Sequence, residues 1–203
     1  MLKTKVAVLV SGGGTNLQAL IDAEKAGLMP HAELALVVSN RPAAYALTRA
    51  ENAGIPHGFI PNGSGFEEAL TALLRERGIE MIVLAGFLRI LSAEFIESFE
   101  GRMINVHPSL IPSFCGKGYY GLRVHEAALE RGVKVTGATV HIVTAEADAG
   151  PILYQQPVFV EEGDTPETLQ RRVMEQAEWK LLPMACELIA KRISTEKETE
   201  AVL

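Results

Sequence analysis

Apolar and polar positions divide the chain into two halves of different rhythm. Val6 to Val10 is apolar without interruption, as a strand covered on both faces should be, and it ends in Ser11-Gly12-Gly13-Gly14-Thr15-Asn16. An amphipathic helix over Leu17 to Ala26 follows, closed by Gly27. Glu33 to Val38 reads as the next strand, ending in Ser39-Asn40-Arg41, with Pro42 opening a helix that Gly54 stops. Ile55 to Pro61 is a short third strand, and Asn62-Gly63-Ser64-Gly65 is a loop before a helix over Phe66 to Arg77. Ile79 to Ala85 is again apolar throughout, and Ser92 caps a short helix reaching Phe99. Met103 to Pro112 then forms a strand that stops abruptly at Pro108. Strand and helix alternating in this way predict an α/β fold with a doubly wound, mostly parallel sheet.

The second half breaks the alternation. After a helix over Leu122 to Arg131, Val133 to Val143 alternates for eleven residues, and Pro151 to Val160 is a second extended run. These predict an antiparallel C-terminal addition to the sheet. Asp164-Thr165-Pro166-Glu167 starts a long helix that Pro183 is expected to kink or divide. Ser194 to Leu203 is polar enough to be read as a frayed tail, leaving residues 1–193 as a single domain.

Composition narrows the function. With 203 residues, 48% of them hydrophobic, the chain can bury a full core. A formal charge of -6 lacks the basic stripe of a nucleic-acid-binding surface, and no apolar run is long enough to span a membrane. The start runs directly into a strand with no signal-peptide pattern. Cys115 and Cys186 are far apart and outside any Cys-x-x-Cys spacing, which argues against a disulfide framework or a zinc site. These features predict a soluble protein of the reducing cytoplasm, binding small molecules and neither nucleic acid nor membrane; self-association as a homodimer is left open.

The candidate chemistry sits at strand ends. Ile104 and Val106 alternate with Asn105 and His107, so an amide and an imidazole leave one face of the strand side by side. An amide can donate to a developing oxyanion, and an imidazole can carry a proton near neutral pH. Gly12-Gly13-Gly14 before a helix start offers free N–H groups to a phosphate, although no Walker lysine follows. A branched side chain at Gly14 is expected to fill that cradle. Gly86 to Leu91 surrounds Arg89 with apolar residues, which suits a flat heterocycle, although composition alone favours ordinary core packing with Arg89 solvated. Taken singly, His141 reads as a structural histidine and Asp148 as a turn cap, while His125 and Tyr119-Tyr120 are ambiguous.

Five motifs in order change these weights: Ser11-Gly-Gly-Gly-Thr-Asn16, Leu84-Ala-Gly-Phe-Leu-Arg-Ile-Leu91, Asn105-Val-His-Pro-Ser-Leu-Ile-Pro112, Val135-Thr-Gly-Ala-Thr-Val-His141 and Asp148-Ala-Gly-Pro. Together they resemble the folate-dependent formyltransferase family, in its glycinamide ribonucleotide transformylase branch, from about Val6 to Pro183. The resemblance implies the Rossmann-like formyltransferase fold. It also implies transfer of the formyl group of 10-formyltetrahydrofolate, a co-substrate, to the amine of glycinamide ribonucleotide in purine synthesis. No metal is required in that family. By position, Asn105, His107 and Asp148 would be catalytic, with Asp148 holding His107 charged. Gly14, Thr15, Asn16 and Glu178 would bind the ribonucleotide. Leu88, Arg89, Ile90, Leu91, Asn105 and the loop Thr144-Ala145-Glu146-Ala147-Asp148 would bind the folate.

The chain departs from the family at Gly63, where an arginine is frequent, and in the segment Ser113 to Arg123, whose glycines predict a mobile flap. Two relatives compete as readings. A formyltetrahydrofolate deformylase usually carries an added amino-terminal domain and a second histidine where Pro108 stands. A methionyl-tRNA formyltransferase needs an added domain and a basic face. A nucleotide-binding module without catalysis would not need Asn105, His107 and Asp148 together.

Overall fold

The computed structural model describes residues 2–200. Its centre is a seven-stranded sheet in the order β3-β2-β1-β4-β5-β6-β7. β1 (Thr4–Val10), β2 (Ala32–Ser39), β3 (His57–Phe59), β4 (Met81–Leu84) and β5 (Met103–His107) run parallel. β6 (Val135–Ile142) lies antiparallel to β5, and β7 (Ile152–Phe159) antiparallel to β6. The helices of the first half are α1 (Thr15–Lys25), α2 (Tyr45–Asn52), α3 (Phe66–Glu76) and α4 (Ala93–Glu97). α5 (Leu122–Arg131), α6 (Pro166–Val173) and α7 (Trp179–Glu200) complete the set.

Strand alternation sorts the core into two layers. Val6, Val8 and Val10 of β1 join Met81 and Val83 of β4 and Ile104 and Val106 of β5 under α1 and α7. Ala7 and Leu9 join Ile82, Leu84 and Met103 under α3 and α4. Each fully buried Val, Leu, Ile or Met side chain here contributes roughly 1.5–3 kcal/mol. Asn105 and His107 share the face of Met103, so both emerge at the upper edge of the second layer.

Several boundaries differ from expectation. α2 begins at Tyr45, not at Pro42, because the Ser39 hydroxyl both accepts from the Arg41 N–H and donates to the Arg41 carbonyl, holding a turn there. The last helix is continuous through Pro183, and its irregularity lies upstream, in a π-helical turn at Met174–Glu178. Pro183 falls four residues after Trp179, so its ring meets only the first turn of α7. The expected tail is helix as far as Glu200. Ser194 is buried, its hydroxyl donates to the Leu2 carbonyl, and Lys197 pairs with Glu80 at 2.7 Å. Residues 201–203 of that tail lie outside the described residues. Among the described residues, no helix is long and apolar enough to cross a membrane.

Candidate active site

Strand order reverses between β1 and β4, and in an open α/β sheet the crevice outside the carboxyl ends at such a reversal receives ligands. Three parallel strands open there: β1 into Gly12-Gly13-Gly14, β4 into Gly86 to Leu91, and β5 at His107. The Ser11 hydroxyl ties the first two loops, donating to Asn40 Oδ1 at 2.7 Å and accepting from the Leu88 N–H at 2.8 Å.

Register delivers the polar groups. Asn105 pairs with His141 across β5 and β6. His141 Nδ1–H donates to the Ile142 carbonyl at 2.9 Å, so Nε2 accepts from Asn105 Nδ2–H at 3.2 Å. One amide hydrogen of Asn105 is left for a ligand. Asp148 reaches the same place from the turn after β6, with Oδ1 3.5 Å from His141 Nε2 and Oδ2 3.6 Å from His107 Nδ1. Gly150 lets that turn close on the sheet, since a Cβ there would stand 1.9 Å from the Ile142 carbonyl oxygen. Asn105, His107 and Asp148 are therefore brought together, with His141 between the first and last. His141 lines the site where residue-by-residue reading left it structural; the cross-strand register with Asn105 is the signal that finds it.

The segment after β5 also bears on His107. Nε2–H donates to the Phe114 carbonyl at 2.8 Å, and the Gly116 N–H donates to Asp148 Oδ2 at 2.8 Å. Phe114 (φ 48°) and Asp148 (φ 55°) are the two non-glycine residues with positive φ among the described residues. Each such conformation costs on the order of 1–2 kcal/mol, and both residues end on His107. The start of the expected flap is thus bonded into the site.

Burial is the largest influence on His107 and lowers its pKa. The Asp148 charge and the Phe114 carbonyl raise it and His141 lowers it, and the net direction is down. The expectation that Asp148 keeps the resting imidazole charged is corrected: desolvation of the imidazolium outweighs a carboxylate 3.6 Å away. Burial also works against an ionised Asp148, but the neighbouring His141 and His107 imidazoles and the Gly116 N–H prevail and hold it below the usual carboxylate range. His125 is fully enclosed with neither ring nitrogen partnered. Burial, then the His107 charge, pushes it down to about 4, so it stays neutral.

A cavity of about 170 Å³ opens beside Asn105. Arg89, Ile90 and Leu91 line one wall and Thr144, Ala145, Glu146, Ala147 and Asp148 another. Leu88, expected with them, does not line it: its N–H is turned to Ser11, and its side chain is half exposed. Leu84, Phe87, Ile96 and Val143 take part instead, extending the second core layer into the cavity floor. Arg89 lies over the Phe66 ring at 4.5 Å and donates to Asn62 Oδ1 at 3.3 Å and to the Gly63 carbonyl at 3.2 Å. A larger groove of about 570 Å³, between α3 and α4, carries Glu67, Glu68 and Glu94 and lies away from the histidines.

On the other side of β1, Gly14 caps α1 with φ 71°. Its missing Cβ would stand 2.6 Å from Ala46 Cβ, so a side chain there would strike α2 and would not enter the cradle. Gly12 and Gly13 face open space. Thr15 Oγ1 contacts Met174 Sδ at 3.6 Å, and Asn16 Nδ2–H donates to Glu178 Oε2 at 2.6 Å. The buried Asn16 Oδ1 has no partner. The π turn brings Glu178 to this position, and burial, only partly offset by Asn16, pushes its carboxyl up to about 7.

Relatives carry the same architecture. A family model described as formyl transferase matches residues 4–186. The phosphoribosylglycinamide formyltransferase of Haemophilus influenzae is 39% identical over 185 residues, covering 89% of this chain and 84% of that protein. The chain belongs to the phosphoribosylglycinamide formyltransferase family. A solved member, glycinamide ribonucleotide transformylase 1 from Symbiobacterium toebii, superposes with a TM-score of 0.86 at 40% identity, covering 93% of this chain and 88% of that one. Membership extends to longer proteins. The trifunctional purine biosynthetic protein adenosine-3 of Gallus gallus is 48% identical over 193 residues, and the chain spans 18% of its length.

Proposed function

We propose that this formyltransferase moves the formyl group of 10-formyltetrahydrofolate to the amine of glycinamide ribonucleotide, and that Asn105, His107 and Asp148 carry the chemistry. The observation that supports this most directly is the meeting of those three side chains at a mostly apolar cavity, beside a glycine-rich helix start. The cavity is smaller than the usual 300–1,000 Å³ of a whole ligand site, which suits one flat ring system with the rest of the donor outside it. Leu91, Ile96 and Val143 would cover the ring faces. Free backbone groups of the Thr144 to Asp148 loop would meet its polar edge.

The acceptor would lie across the first loop. Phosphate fits the open N–H groups of Gly13, Gly14 and Thr15 at the start of α1. Glu178 and the unpartnered Asn16 Oδ1 are acceptors suited to hydroxyl groups of a ribose.

In the reaction, the acceptor amine attacks the formyl carbon and the carbonyl oxygen becomes an oxyanion. The free N–H of Asn105 donates to it. His107 rests neutral, with its proton on Nε2 and its Nδ1 lone pair toward Asp148. It takes the proton that the amine loses as the new C–N bond forms. The imidazolium so made lies between the oxyanion and the Asp148 carboxylate, which both favour it. That proton passes to N10 of the folate as the tetrahedral intermediate collapses, and tetrahydrofolate leaves.

The test is incubation of the protein with 10-formyltetrahydrofolate, with and without glycinamide ribonucleotide. Donor consumption that requires the amine is expected. Equal consumption in its absence would mean hydrolysis, and no consumption would mean binding without catalysis.

A further inference from the structure

His107, Thr139 and Gln155 form a single row across three strands, because His107 pairs with Thr139 in β5–β6 and Thr139 pairs with Gln155 in β6–β7. The row continues into the turn that follows His107. Thr139 Oγ1 donates to the Ser109 carbonyl at 2.7 Å, and it accepts from the Ile111 N–H at 3.1 Å and from Gln155 Nε2–H at 3.0 Å. A hydroxyl has one hydrogen and two lone pairs, and here all three are engaged. Gln155 spends its second donor on the Ile111 carbonyl at 3.0 Å, although its side chain stands at the surface, where water is at hand. The turn is then closed by the Ser109 hydroxyl on the Ser113 carbonyl at 2.5 Å. The next carbonyl is that of Phe114, the acceptor of His107 Nε2–H.

We infer that Gln155 and Thr139 are positioning residues for His107: they fix the 109–114 turn so that the Phe114 carbonyl holds the imidazole with its proton on Nε2 and its lone pair on Nδ1. The inference rests on the proposed use of His107 Nδ1 in formyl transfer. Neither residue touches that nitrogen. Their effect runs through the turn, and the left-handed backbone at Phe114 shows why it needs support: φ 48° is unfavourable for phenylalanine, and a loosened turn would relax away from it. Were the carbonyl withdrawn, the Asp148 carboxylate 3.6 Å from Nδ1 would favour the proton on that nitrogen, and the ring would present a proton where the reaction needs a lone pair.

The experiment is ¹⁵N NMR of the His107 ring in the full chain, alongside steady-state kinetics, for wild type, Gln155→Leu, Thr139→Val and Thr139→Ser. Wild type should show Nε2 protonated and Nδ1 free at neutral pH. Gln155→Leu and Thr139→Val should show averaged ring nitrogens and a kcat lowered on the order of 10-fold to 100-fold, the scale expected of a misplaced reacting group, with KM for the ribonucleotide unchanged. Thr139→Ser keeps the hydroxyl and should restore both readouts. Gln155 is at the surface, so its variant remains informative if Thr139→Val folds poorly. A wild-type ring pattern and wild-type pH–rate profile in Gln155→Leu would overturn the inference. Absence of formyl transfer by the wild-type protein would instead overturn the proposed reaction, and the ring nitrogens would still report whether the turn sets the tautomer.

Discussion

Asp148 Oδ2 stands 3.6 Å from His107 Nδ1, beyond hydrogen-bond reach, while the same oxygen takes the Gly116 N–H at 2.8 Å. In the resting protein the carboxylate therefore acts on the imidazole through its charge. Replacing Asp148 by Asn keeps the shape and removes that charge. The rate of formyl transfer should fall on the order of 10² to 10⁴, the usual span for positioned acid–base groups. The sign of the pH effect follows from the base role proposed for His107. Asp148 raises the His107 pKa, so its loss lowers that pKa further, and the acid limb of the pH–rate profile should move to lower pH. A near-normal rate with a lowered melting temperature would make Asp148 a turn cap and nothing more.

Gly13, not Gly14, is the position at which to block the proposed phosphate cradle. A side chain at Gly14 collides with Ala46 and adds backbone strain, whereas one at Gly13 enters open space. Gly13→Val should weaken ribonucleotide binding by about tenfold or more, roughly 1.4 kcal/mol, without a change in melting temperature. Calorimetry with the folate as control decides it. Equal weakening of both ligands would show that the loop shapes the whole crevice and does not act on phosphate alone.

Glu178 links stability to pH in the opposite sense from an ion-paired carboxylate. The unfolded chain ionises it near 4.5, while the folded chain holds the proton up to about 7. Between those values the folded state binds more protons, so stability should fall as pH rises through that window and level off above it. The cost at alkaline pH is on the order of 3 kcal/mol. Thermal melts from pH 5 to pH 8 should show the decline in wild type and its absence in Glu178→Gln. Parallel curves would mean that the carboxyl ionises without penalty.

Amide exchange should divide the 113–123 segment in two. Gly116 is bonded to Asp148 and should exchange slowly in the free protein, whereas Gly118 and Gly121, which make no such bond, should exchange fast. Uniformly fast exchange would mean that the tie to Asp148 does not persist in solution.

What the sequence made legible follows from how local each signal is. Val6 to Val10 and Ile79 to Ala85 announced central strands because a strand covered on both faces has no polar position to spare. The bounds of α5 are those read from its periodicity. The Asn105–His107 pair was visible because a period of two settles which side chains share a face. The place of His141 is not legible locally, because it depends on pairing with a residue 36 positions away. The helical end of α7 is hidden for the same reason: Ser194 and Lys197 are polar, and their partners are Leu2 and Glu80. The family resemblance places Leu88 in the pocket with Arg89, Ile90 and Leu91, but the chain turns there and carries its N–H to Ser11. Pairing across a sheet and the direction of a loop are properties of the folded chain that no short window contains.

The π turn at Met174–Glu178 holds one residue more than an α-helix would need for the same path. Each α-helical residue turns the chain by about 100°, so the surplus sets α6 and α7 out of phase. Deleting one residue there would not merely shorten the helix. Either the stripe of Leu182, Ala185, Cys186 and Ile189 would rotate off the sheet, or Glu178 would swing away from Asn16. The helix cannot keep its hydrophobic seam and its carboxylate in a single regular winding. That makes this stretch far less tolerant of a one-residue change in length than an exposed loop, and it places a limit on how the carboxyl-terminal third of the chain can vary while the crevice keeps its acid beside Asn16.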